Sequence, residues 1–189
     1  MKPAGKYRAF TLIELLTVIS VISLLLSISV PAINKVKQKA KSTKRQANLH
    51  AVSAAFRMYL DEYQDFMPPA CRLPSFQDKS GIAEFLKPFL SAPESLECPA
   101  DSAQKRLDSN RKYFETELSS YEYNDRVGGK RIRDFLIQLS GNKKKIKVSD
   151  EKNLEIVWDY EPFHGEADKP GAVNYLYADL HIGDLDKQI

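Results

Sequence analysis

Residues Phe10–Ile33 read FTLIELLTVISVISLLLSISVPAI, and Glu14 is their only ionisable side chain. As an α-helix this run is about 36 Å long, enough to cross a ~30 Å hydrocarbon core. A buried helix of a soluble protein seldom stays apolar on every face for so long. The competing reading is a secretory signal, whose apolar core runs about 7–15 residues to a small-residue cleavage site. The present run is longer, carries an acid near its start and continues into helix-compatible sequence. An acid at the centre of a membrane helix costs roughly 2.5–3.5 kcal/mol, and less near the interface. Glu14 therefore either has a partner or sits among headgroups. Pro31 removes one backbone donor from the run and predicts a helix kink.

Before this segment, residues 1–9 hold Lys2, Lys6 and Arg8 and no acid, forming a short basic leader. Without them the formal net charge falls from +3 to zero, so the basic balance belongs partly to the leader. That weakens a nucleic-acid reading based on global charge. After the segment come Lys35, Lys37, Lys39, Lys41, Lys44 and Arg45. On the positive-inside tendency alone, this end would face the cytoplasm.

Further on, Leu49, Val52, Phe56, Tyr59, Leu60 and Tyr63 recur at three- and four-residue steps, an apolar stripe on an amphipathic helix. Residues 34–64 contain no Pro or Gly, so one helix from about Phe10 to Gln64 is expected, its second half packed on a sheet. Pro68, Pro69 and Pro74 break it. Residues 82–90 predict a short helical piece interrupted near Pro88, and ECPAD at 97–101 a turn. Strands are expected at Ser120–Asn124, Leu154–Tyr160, Val173–Ala178 and His181–Leu185, with Asp179-Leu180 joining the last two as a hairpin. Residues 142–147, NKKKIK, read as a solvated loop. No internal repeat is present.

The expected fold class is α+β: a long N-terminal helix, transmembrane then amphipathic, packed on a small antiparallel sheet. The divisions are leader 1–9, transmembrane helix 10–33, amphipathic continuation 34–66 and globular α+β domain 67–189. Cys71 and Cys98 either form one disulfide or stand as two separate thiols. An extracytoplasmic location favours the disulfide. Asp159, His164, Asp179, His181 and Asp184 cluster near the C-terminus. Asp159, His164 and Asp179 could hold calcium or another divalent ion. The alternative is that such residues secure turns and strand edges by hydrogen bonds. No nucleophile elbow, phosphate loop or HExxH pattern occurs, so no enzyme and no other cofactor is expected.

The stretch KYRAFTLIELLTVISVISLL resembles the cleavage and methylation segment of type IV prepilins and type II secretion pseudopilins. The resemblance implies a pilin-like fold and a cut between Ala9 and Phe10 by a membrane-bound prepilin peptidase, which also N-methylates Phe10. That family usually has Gly where Ala9 stands. By the same resemblance Glu14, fifth in the processed chain, neutralises the terminal amine of a neighbouring subunit, and Pro31 occupies the family's usual kink position. The implied partners are further copies of the chain, the peptidase, an assembly ATPase and a membrane platform. The implied location is the inner membrane, single-pass, with the C-terminal domain outside the cytoplasm, because the leader must face the peptidase on the cytoplasmic side. NLHAVSAAFRMYLDEYQDFMP resembles the corresponding pseudopilin stretch.

The order ECPAD, SYEYN, IVWDY, then FHG…AVNYLYADLHIGDL resembles the prepilin-type processing-associated His-x9-Asp-Gly domain. Here fourteen residues separate His164 from Asp179, and Leu180 stands where Gly is usual. Leucine disfavours a positive φ, so a differently built turn is expected. The function implied is a structural subunit of a pseudopilus or pilus-like filament. The alternative is a membrane-anchored extracytoplasmic binding module that uses the segment only for export. Nucleic acid is not expected as a partner, because the basic cluster would lie against the membrane and the globular part is near neutral.

Overall fold

The computed structural model describes residues 11–101, 111–139, 151–162 and 172–184. The leader, Ala9, Phe10, His164 and the loop expected at 142–147 lie outside the described residues. The chain divides into two compact units, Met1–Ser42 and Thr43–Ile189.

Helix α1, Leu12–Glu62, runs through Pro31 without ending. In the first unit every Leu, Ile and Val from Leu12 to Ile33 is exposed, from 83% at Leu12 down to 49% at Val18. By length and composition this helix can cross a membrane. The hydroxyls of its apolar run are satisfied within the helix. Thr17 donates to the Glu14 carbonyl at 3.0 Å, Ser23 to Ile19 at 2.7 Å and Ser29 to Leu25 at 2.8 Å. Such i−3 and i−4 bonds let small polar side chains sit in an apolar segment without stranded donors.

In the second unit, α1 buries Leu49, Val52, Phe56, Tyr59 and Leu60 of the stripe read from the sequence, whereas Tyr63, its last member, lies past the helix end and is exposed, stacked on Tyr59. The helix ends at Glu62, ahead of the prolines expected to stop it. Gln64 and Asp65 adopt left-handed backbone (φ 55° and 65°), and the Asp65 amide reaches back to the Leu60 carbonyl at 2.8 Å. This is a Schellman-type closure with Gln and Asp where glycine is usual.

Among the described residues four strands follow: β1 Tyr121–Tyr123, β2 Glu155–Asp159, β3 Asn174–Tyr177 and β4 Ile182–Asp184. They form one antiparallel sheet in sequential order. Each lies inside the run expected for it. A register shift between Glu155 and Val157 inserts one extra residue in β2, and Ile156 and Val157 are both buried in succession. Phe56 of α1 stacks on Tyr123 of β1 with ring centroids 6.4 Å apart. The Tyr123 hydroxyl donates to the Pro68 carbonyl at 2.8 Å, fixing the loop that leaves the helix.

Between α1 and the sheet lie short helices. α2 is Pro74–Gln77 and α3 is Ile82–Leu86, with a 3-10 turn at Lys87–Phe89 where the Pro88 interruption was expected. Among the described residues two further α-helices were not anticipated: α4, Tyr113–Glu117, and α5, Ile132–Leu139.

The β3–β4 turn corrects one expectation. Leu180 does adopt positive φ, 68°, and its amide donates to the Tyr177 carbonyl at 2.8 Å. The loop Ala178–Leu180 is therefore a three-residue hairpin connection with a left-handed third position, one residue longer than expected. Leu180 is held there because it is packed against the core and its carbonyl accepts the Ser53 hydroxyl of α1 at 2.9 Å.

Leu118, which caps α4, is also left-handed (φ 59°) but is 56% exposed, so little packing offsets its backbone cost. Leu118→Gly is expected to raise unfolding stability by about 1 kcal/mol, read from chemical denaturation. A loss of stability would show that the leucine side chain contributes more than its backbone costs.

Candidate functional site

The head of α1 is built by four residues, Thr11-Leu12-Ile13-Glu14. Thr11 is the cap. Its amide and its hydroxyl both donate to Glu14 Oε2, at 2.9 and 2.8 Å, and the Glu14 amide donates back to Thr11 Oγ1 at 3.3 Å. This reciprocal pattern is a capping box, with the acid three residues into the helix. The carboxylate lies where the helix dipole favours negative charge. Glu14 is thus held over the helix terminus instead of extending along the shaft. Thr11 was not singled out from the sequence, although the T-x-x-E spacing before an apolar run is a readable capping signal.

The C-terminal residues do a different job. Asp159 is buried in β2, and its Oδ2 accepts the Asn174 amide at 2.9 Å and Asn174 Nδ2 at 2.7 Å. Asp179 sits in the β3–β4 turn, where its Oδ1 accepts the His181 amide at 3.1 Å and lies 2.5 Å from His181 Nδ1. His181 in turn stacks on Tyr177 at 4.3 Å. The sheet register separates the two carboxylates. Asp159 follows Trp158, which pairs with Tyr175, whereas Asp179 lies beyond Tyr177, which pairs with Glu155. The two ends of β2 are about 13 Å apart at the usual strand rise. One ion cannot take both Asp159 and Asp179 in this register, and His164 lies outside the described residues. Among the described residues no group of three or more His, Cys, Asp or Glu is placed to hold a metal.

A second buried carboxylate, Asp101, closes the ECPAD turn. Its Oδ2 accepts the Phe114 amide at 3.0 Å and the Ser120 hydroxyl at 2.7 Å. Asp101 therefore ties ECPAD to the start of β1, as Asp159 ties β2 to β3. The sequence marked these blocks by their order without showing that two aspartates join them.

The expected Cys71–Cys98 disulfide is not formed. Cys71 belongs to a loop that bridges to Gly81, and its thiol donates to the Lys79 carbonyl at 3.4 Å. Cys98 packs in the hydrophobic core. Burial raises the Cys71 thiol above its ordinary pKa and, together with the negative charge of Asp159, pushes Cys98 up to about 12. Neither is poised as a thiolate at neutral pH.

Burial also pushes the Asp159 carboxyl up to about 6, against the opposing Asn174 hydrogen bonds and the Arg45 charge. Its folded value lies above the unfolded value of about 3.9. The associated stabilisation is complete below about pH 4 and is lost as pH rises through about 6. Asp159→Asn keeps an acceptor for Asn174 and cannot ionise. Its unfolding free energy should lack this fall, which is on the order of 3 kcal/mol for a two-unit shift. Parallel pH profiles of the two proteins between pH 4 and 7 would contradict the assignment.

Residues 5–30 match the family model described as the prokaryotic N-terminal methylation motif. No curated protein and no solved structure matches the chain. The match covers the second half of the basic leader with Lys6 and Arg8, then Ala9, Phe10, the Thr11–Glu14 cap and most of the apolar run, and so identifies a prepilin-type N-terminal segment.

Proposed function

We propose that this chain is a structural subunit of a pseudopilus or type IV pilus-like filament. In this reading it is cut between Ala9 and Phe10, methylated on Phe10 and assembled through α1. The observation that carries the reading is the head of α1: a single acid, set in the first turn of a helix exposed and apolar on all sides, inside the matched methylation segment. In lipid an unpaired carboxylate and an unpaired amine are each costly, and each relieves the other when subunits pack. Glu14 would pair with the Phe10 amine of a neighbouring copy, with Thr11 fixing the direction in which the carboxylate faces. Pro31 would bend the helix, since its missing amide leaves the Ser27 carbonyl without its i→i−4 donor.

The proposed location is the inner membrane, single-pass, with the globular unit outside the cytoplasm. The proposed partners are other subunits, a prepilin peptidase, an assembly ATPase and a membrane platform. The role is structural and not enzymatic. The proposed identity of the C-terminal part is a processing-associated His-x9-Asp-Gly domain. The two buried aspartates give its blocks a structural reason to recur in that order.

Glu14→Ala should leave membrane insertion intact and abolish filaments, scored by membrane fractionation and by electron microscopy of sheared material. A normal filament yield from that variant would overturn the role of Glu14. It would favour a membrane-anchored binding module, in which the segment serves export alone.

A further inference from the structure

Just past the apolar run of α1, Lys35, Lys37, Lys39 and Lys41 alternate with uncharged residues, and all four are exposed. They belong to the same compact unit as the run itself. At about 100° per residue, steps of two turn each lysine roughly 200° from the last. Lys35 and Lys39 thus fall on one side of the helix, and Lys37 and Lys41 on the opposite side. The charges encircle the shaft instead of forming a stripe. A protein partner docks on one face of a helix, whereas a bilayer interface surrounds a lone helix completely.

Two further features point the same way. No Asp or Glu occurs between Glu14 and Asp61, so the net charge of this stretch of helix is strongly positive. In addition, helix side chains lean toward the N-terminus, which here is the direction of the apolar run. Long lysine stems can lie along apolar surface while their ammonium groups stay in the headgroup layer.

We infer that Lys35, Lys37, Lys39 and Lys41 form a collar that binds the headgroups of anionic phospholipids at the C-terminal end of the span. The inference rests on reading α1 as membrane-spanning. The collar sets the depth of the helix and holds each subunit in its leaflet by charge. Withdrawing a subunit into a filament then requires exchanging these lipid contacts for others.

The test uses the full chain reconstituted in phosphatidylcholine bilayers, with trace spin-labelled phosphatidylcholine or phosphatidylglycerol read by electron paramagnetic resonance. The collar predicts that phosphatidylglycerol associates about fivefold more strongly than phosphatidylcholine, the factor for one lysine at an anionic surface. Replacing all four lysines by glutamine should bring that ratio down toward one. High salt should lower it in the unaltered chain, which keeps the test valid if the variant inserts poorly. Equal association of the two lipids with the unaltered chain, or an unchanged ratio in the variant, would overturn the collar. Absence of motionally restricted lipid of either kind would overturn the span reading itself, and the collar with it.

Discussion

Apolar side chains exposed on every face of a helix must be covered. From Leu12 to Ile33 the covering cannot come from within the helix, and each Leu, Ile or Val gains roughly 1.5–3 kcal/mol by leaving water. Apart from the Ser27 carbonyl opposite Pro31, the backbone is satisfied by its own helical bonds, and the hydroxyls of Thr17, Ser23 and Ser29 return to nearby carbonyls. The segment is thereby ready for lipid or for the apolar surface of like helices, with one exception. Glu14 keeps a carboxylate at the entrance, held by Thr11. The exception is what the proposed function turns on, because a charge in an apolar setting is stable only beside its opposite.

The same helix changes character once its apolar residues narrow to a stripe. From Leu49 to Leu60 the stripe is buried against a core that includes Tyr121, Tyr123, Ile156 and Leu176 of the sheet. The sheet is small, with strands of three to five residues, and strands this short need help from loops. Asp101 and Asp159 supply it by joining chain segments distant in sequence. The Ser53 and Asn48 side chains do the same from the helix, binding the carbonyls of Leu180 and Glu97. A buried carboxylate loses hydration on folding, and Asp159, with its pKa raised toward neutrality, still carries that cost.

Much of this was legible in the sequence because long periodic patterns dominate it. The apolar run, the stripe from Leu49 to Leu60 and the aromatic-rich strands each carry many residues with one message. What escaped was short or tertiary. Ile132, Phe135, Leu136 and Leu139 have helical spacing, yet α5 is only eight residues long, and its pattern is brief against the loop-like Gly128-Gly129 before it. The positive φ of Leu180 follows from packing and from the Ser53 bond, and local preference argues against it. The disulfide was inferred from compartment and count, neither of which says where two thiols sit. The separation of Asp159 from Asp179 depends on strand register, which spacing along the chain does not reveal. At the head of the helix, Glu14 was legible as an unusual acid, while Thr11 was passed over because its partner lies within a single turn.

The central claim is that the apolar helix is used as a processed prepilin-type segment and not as an ordinary signal or anchor. The most direct measurement is the intact mass and N-terminal sequence of the chain recovered from membranes of cells that hold a prepilin peptidase. The account predicts a mature species that begins at N-methylated Phe10 and retains the whole of α1. A chain that still begins at Met1, or one cut within or after the apolar run, would contradict it.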